Sequence, residues 1–194
     1  MSTPPLALLD DCMAWADGVV EGIHAEQGSA ATPCSEFTVD DLLAHLIDGL
    51  TWFGQLPAGG PTDPRRVHGL DPVGRSHVEA FHAARATIRR NWTPAHLSDT
   101  YALPFGQTTG TGITEYMSVE TLGHGWDLAA ATGQPITVAP HLAEAALTIA
   151  RGLEPALRAP GMMADAVTVT ADTQPIDRFV AFLGRHPQAW TTPR

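Results

Sequence analysis

The run Tyr116-Met-Ser-Val-Glu120-Thr-Leu-Gly-His124-Gly-Trp-Asp127-Leu-Ala-Ala-Ala-Thr-Gly133 constrains the fold more than any other part of the chain. It reads as one helix. At about 100° per residue, Glu120 and His124 stand one turn apart on one face, with Tyr116 a turn before and Asp127 a turn after. Leu128 and Ala131 border this stripe, which places it facing inward. An acid and an imidazole buried without partners are costly. A divalent metal is the simplest partner for both, because carboxylate and neutral imidazole are good ligands for zinc and its neighbours.

Two ligands on one helix do not make a site. The best third candidate is His45, in Asp40-Asp-Leu-Leu-Ala-His45-Leu-Ile-Asp48, itself helical by pattern. Taken alone, a histidine there is more often a satisfied core or edge residue. With Glu120 and His124 it would complete a His₂Glu set, and three protein ligands with one open position is the catalytic rather than the closed structural arrangement.

The remaining elements are read from periodicity and stop signals. Helices are expected over about Leu6–Gln27, from Thr38 to about Gln55, over about Val73–Asn91, from near Thr111 to Gly133, over about Ala139–Leu153, and over Pro175–Gly184. Thr38 with Asp41 resembles a capping box, and Phe37 can staple onto Leu42. Asp41, His45, Asp48 and Trp52 share one face of the second helix. Residues 56–72 form a Pro/Gly/Asp-rich loop that carries His68, read as an exposed loop histidine. Tyr101–Phe105 reads as a short extended segment, Gly106–Gly112 as a Gly/Thr-rich turn, and Ala166–Thr170 as a strand-like alternation. The sum is a mainly all-α chain, a helical bundle whose interior can hold a metal. The 194 residues suit one domain.

Composition excludes several function classes. The formal net charge is −10, and all 11 basic residues are Arg. That disfavours a nucleic-acid surface, which needs a concentrated positive face. Arg85, Arg89 and Arg90, at helical spacing, read as a solvated face. His77 and His82, five apart, read as surface or edge residues. No run approaches the ~20 apolar residues of a membrane helix and no signal peptide is apparent, so a cytoplasmic protein is expected. Cys12 and Cys34 read as small buried hydrophobes rather than a disulfide framework, with a reactive thiol shortly before a helix start as the lesser reading of Cys34. Nucleophile-elbow, phosphate-loop, Cys-x-x-Cys and His-Glu-x-x-His patterns are absent from the sequence, and one mononuclear site is the better fit.

Thr32-Pro-Cys-Ser-Glu-Phe-Thr-Val-Asp-Asp-Leu-Leu-Ala-His45-Leu, Phe105 with the Gly/Thr turn, and Val119-Glu120-Thr-Leu-Gly-His124-Gly-Trp-Asp-Leu-Ala-Ala-Ala-Thr-Gly133 resemble the actinobacterial DinB-like metal-binding proteins. These are related to the N-terminal metal-binding domain of mycothiol-dependent maleylpyruvate isomerase. The tail Asp177-Arg-Phe-Val-Ala-Phe-Leu-Gly-Arg-His186-Pro is similar to the ending of one subgroup. The resemblance implies a DinB-like four-helix bundle with short extra C-terminal elements, a single domain over 1–194 with 160–194 as an appendage. It also implies a divalent metal, usually Zn²⁺ with Ni²⁺ as another candidate, held by His45, Glu120 and His124. The activity implied is thiol S-transfer or isomerisation, with a low-molecular-weight thiol such as mycothiol and an electrophilic small molecule as partners. Asp127 is placed to orient His124 or another ligand, with a helix-surface or capping role as its other reading, and Asp48, Trp52 and Tyr116 to line the pocket, with ordinary core as the other reading of Trp52 and Tyr116. A homodimer is compatible with this picture. The rival is a non-enzymatic binding or sensing module stabilised by its metal.

Overall fold

A computed structural model describes residues 3–63, 76–104, 106–158, 163–170 and 172–190. Four helices build the bundle: α1 (Pro5–Glu21), α2 (Val39–Gln55), α3 (His77–Asn91) and α4 (Gly110–Thr132). Around the bundle, α4 packs between α1 and α2, and α3 closes the ring against α2 and α1. Two further helices, α5 (Pro140–Arg158) and α6 (Pro175–Phe182), pack on each other, with α5 lying along α4; a single turn, α7 (Pro187–Trp190), follows. The chain is mainly all-α, as expected.

The local reasons are those of the sequence. Thr38 Oγ1 accepts the Asp41 N–H, and the Asp41 carboxylate accepts the Thr38 N–H in return, fixing the start of α2. Ser76 and Glu79 do the same for α3. Gly133, at φ +70°, ends α4 in the left-handed conformation that glycine adopts without strain.

The position of α4 explains its composition. One hydrophobic core lies between α1, α2, α3 and α4, and a second lies between α4, α5 and α6. α4 borders both, so from Thr121 to Ala130 every residue is buried. A helix enclosed on all sides has no solvent face. Gly125 allows the close approach of α1, since a Cβ there would come within 2.7 Å of the Trp15 ring.

Several expectations change. The first helix stops at Glu21, and a separate 3₁₀ turn covers Ala25–Gln27. Gly106–Thr109, expected as turn, is strand β2, paired antiparallel with β1 (Thr100–Leu103) in register Thr100 with Thr109. Ala166–Thr170 forms no strand: its alternation finds no partner strand, and Val167 N–H donates to the Ala181 carbonyl of α6 instead. The fifth helix runs on through Pro155 to Arg158. The basic stripe of α3 is not simply solvated. Arg85, with 18% of its side chain exposed, pairs with Asp17 at 2.9 Å and approaches Asp10, and Arg89 pairs with Asp10 at 2.8 Å. His68 and Phe105 lie outside the described residues. No described helix is long and apolar enough to cross a membrane.

Candidate metal centre

Helices α2 and α4 bring His45, Glu120 and His124 together, with one ligand atom from each inside a sphere where all lie within 4.8 Å of one another. Glu120 Oε2 is the hub, 3.7 Å from His45 Nε2 and 3.3 Å from His124 Nε2. Metal–ligand bonds of about 2.0–2.2 Å put tetrahedral ligand atoms roughly 3.3–3.6 Å apart. The Glu120-to-histidine spacings therefore suit a zinc-sized ion with little adjustment, and two imidazoles with one carboxylate suit zinc or nickel. The two imidazole rings meet edge to face with centroids 5.2 Å apart.

Access is graded across the cluster. The side chain of His124 is 10% exposed, that of Glu120 24%, and that of His45 44%. His124 thus anchors the floor, and His45 borders solvent with the Phe37 ring 5.3 Å from its own.

Behind His124 stands a second layer. Asp127, fully buried, faces His124 Nδ1 across 3.2 Å. Arg185, from the turn after α6, grips the same carboxylate with two prongs, Nε to Oδ1 at 3.1 Å and Nη2 to Oδ2 at 2.7 Å. Paired carboxylate–histidine contacts of this type set which ring nitrogen is free to ligate, here Nε2. Tyr116 stands one turn before Glu120 and feels its charge. Its own ionisation is pushed well above the ordinary range, by burial first and then by the Glu120 charge.

Without an ion the electrostatics are self-compensating. Burial works against a charged His124, but hydrogen bonds to Asp127 and Glu120 and their charges outweigh it, raising its pKa from 6.5 to about 9. Burial likewise opposes the charge on Glu120, yet contacts with His124, then His45, hold its carboxyl well below the ordinary range. Asp127 is also held low, since hydrogen bonding to His124 and the charge of Arg185 overcome its burial. An imidazolium between two carboxylates is the proton-loaded counterpart of a metal-bound imidazole.

Other residues singled out in the sequence stand differently. Trp52 is part of the core between the bundle helices, and its indole N–H donates to the Pro61 carbonyl at 3.0 Å. Asp48 is half-buried on α2 and joins none of the ligand-type groups found among the described residues. Two neighbours were not read from the sequence as part of this cluster. Cys34, half-buried in the loop before α2, places its sulfur within 4.8 Å of ligand atoms on His124 and Asp127. Burial raises its thiol above the ordinary range, with Arg185 opposing and Asp127 and Glu120 adding to the effect, so it stands as a neutral thiol. Arg185 is the other. Its signal was indirect: a buried Asp127 on a helix rich in small and apolar residues needs a cation.

A family model described as the mycothiol maleylpyruvate isomerase N-terminal domain matches residues 9–129, a span that holds His45, Glu120, His124 and Asp127. Two uncharacterised proteins of Mycobacterium tuberculosis, one from strain CDC 1551 / Oshkosh and one from strain ATCC 25618 / H37Rv, are each 36% identical to this chain over 170 residues, covering 86% of this chain and 90% of the relative. No solved structure matches it. By the extent of the family match and of these relatives, the chain belongs to the mycothiol maleylpyruvate isomerase N-terminal domain family.

Proposed function

We propose that His45, Glu120 and His124 hold one divalent cation, zinc by preference and nickel as the next candidate. In this reading the protein is a metal-dependent thiol S-transferase or isomerase-like enzyme. Its co-substrate is a low-molecular-weight thiol, mycothiol or a close analogue, and its second substrate is an electrophilic small molecule. The observation that carries the proposal is the spacing of the two imidazole nitrogens about Glu120 Oε2, 3.7 and 3.3 Å. Membership in a metal-binding, mycothiol-related family supports it.

The chemistry a divalent ion supplies there is stabilisation of the thiolate, the nucleophilic form of a thiol, near neutral pH. The protein's own residues do the rest. Asp127 accepts from His124 Nδ1 and keeps Nε2 aimed at Glu120. His45 stands at the solvent edge, where a small molecule reaches the cluster beside the apolar ring of Phe37. The neutral Cys34 thiol is not needed as nucleophile; sulfur arrives with the co-substrate. The thiol gives up its S–H proton to solvent and its sulfur bonds to carbon of the electrophile; in a transfer the broken bond's electron pair departs with the leaving group, and in an isomerisation a carbon–carbon π bond opens and re-forms as the thiol leaves.

Cobalt substitution tests this. Adding mycothiol to the cobalt-loaded protein should produce a sulfur-to-metal charge-transfer band, and Glu120→Ala should abolish it by losing the ion. A loaded protein that gives no spectral response to any small thiol would leave the ion a structural or sensing role and end the transferase reading.

A further inference from the structure

The contacts behind His124 leave α4 altogether and end in the C-terminal segment. Helix α6 is anchored by buried Ile176, Phe179, Val180 and Ala181. Arg158 of α5 donates to the Phe182 carbonyl at 2.9 Å and also to the Ala164 carbonyl. After α6 the chain reverses at Gly184, whose φ is +89°. The reversal is closed by the Arg185 N–H on the Val180 carbonyl at 3.0 Å. A side chain at Gly184 would be strained by that φ, and its Cβ would meet Ala164 Cβ at 2.6 Å. The turn therefore delivers Arg185 to a fixed place. There its Nη1 donates to the Leu183 carbonyl at 3.0 Å while Nε and Nη2 take both oxygens of Asp127.

The geometry at Asp127 is what matters for the metal centre. Oδ2 is shared, with Arg185 Nη2 at 2.7 Å on one side and His124 Nδ1 at 3.2 Å on the other. A two-pronged guanidinium–carboxylate pair is planar and fixes the carboxylate in rotation as well as position. A carboxylate so held can present Oδ2 to only one ring orientation of His124. We infer that Arg185 is a positioning residue of the metal centre, acting through Asp127 on His124, so that a segment beyond the matched span of residues 9–129 forms part of the site. The inference rests on the metal-centre reading above. It differs from a plain buried ion pair in one respect: a plain pair would change stability and leave the ion's affinity and coordination geometry alone.

The test compares wild type, Arg185→Ala, Arg185→Lys, Asp127→Ala and the Arg185→Ala/Asp127→Ala double variant. Three quantities are read: cobalt affinity by competition with a chelator, the cobalt d–d spectrum, and the thermal melt of the metal-free protein. Arg185→Ala should lower affinity roughly 10- to 100-fold and shift the d–d bands, the range typical of partners one layer behind a ligand. Arg185→Lys, which keeps the charge and loses the fork, should recover affinity in part while leaving the bands shifted. In the Asp127→Ala background, Arg185→Ala should cost no further affinity. Unchanged affinity and bands in Arg185→Ala, with only a lower melt, overturn the inference. An equal affinity loss with and without Asp127 overturns the route through Asp127. Should Arg185→Ala not fold, Arg185→Lys decides, and wild-type bands in that variant count against the inference. If wild type itself takes up no cobalt, the metal-centre reading fails instead. The positioning is then read from the imidazole nitrogen NMR of His124 in metal-free protein, where a resonance unmoved by Arg185→Lys overturns it.

Discussion

Two clusters in this molecule have nearly the same ingredients. Between α1 and α3, Asp17 and Glu21 stand one turn apart and meet His82, with Asp17 Oδ1 2.7 Å and Glu21 Oε1 3.8 Å from His82 Nε2. Between α2 and α4, Glu120 and His124 stand one turn apart and meet His45. Helical spacing does not separate them, and the donor sets differ only in ratio, two carboxylates and one imidazole against one carboxylate and two imidazoles. Surroundings do. The side chains of His82 and Glu21 are 47% and 59% exposed, and Arg85 already occupies the cationic role, bound to Asp17 at 2.9 Å. His124 is enclosed, Glu120 faces no arginine at contact distance among the described residues, and the buried Asp127–Arg185 pair stands against the His124 ring. Water and a competing cation make the first cluster a surface ion-pair network, whereas partial desolvation and an outer layer suit the second to the ligand role proposed for it.

The largest expected difference is in stability. Arg185→Met leaves the buried Asp127 with only His124 beside it, and breaking a buried pair from one side costs about 3–5 kcal/mol. Arg89→Met, at the exposed end of the α1–α3 network, should leave the melt unchanged. Denaturant titration of both variants, metal-free, checks this; equal losses would mean that the two networks do not differ as described.

A smaller effect is in protons. In the metal-free protein His124 carries its proton up to about pH 9, above the roughly 6.5 of an unfolded histidine. That raised value stabilises the fold fully below about pH 6.5, and the contribution is lost as pH rises through about 9. An ion must displace the same proton. Metal affinity should therefore climb with pH, by about tenfold per unit from this proton, and level off near pH 9. Calorimetry at pH 7.5 in buffers of different ionisation enthalpy should register the release of this proton on binding. Release that is unchanged by Asp127→Asn would place the proton elsewhere.

What the sequence disclosed depended on distance along the chain. The Thr38–Asp41 cap spans three residues and the Glu120–His124 pair spans four, so helical geometry alone makes both readable. His45 required a second helix to be placed beside α4, and its amphipathic pattern was enough to suggest that. Arg185 is 58 residues from Asp127, on the far side of α5, and no periodicity links them. Cys34 sits in a loop whose path is set by Thr32 Oγ1 bonding the Cys34 and Phe37 carbonyls, a contact invisible to pattern. Ala166–Thr170 failed for the opposite reason. Alternation records which side chains could share a face, but a strand also needs a neighbour to pair with, and this segment lies against a helix end.

The central claim is that the α2–α4 cluster, and not its α1–α3 counterpart, holds an ion. Elemental analysis after saturation with zinc and removal of loosely held metal decides it most directly. One ion per chain is expected in wild type and in the Asp17→Ala/His82→Ala variant, and none in Glu120→Ala/His124→Ala. Full occupancy in the Glu120→Ala/His124→Ala protein would contradict the account.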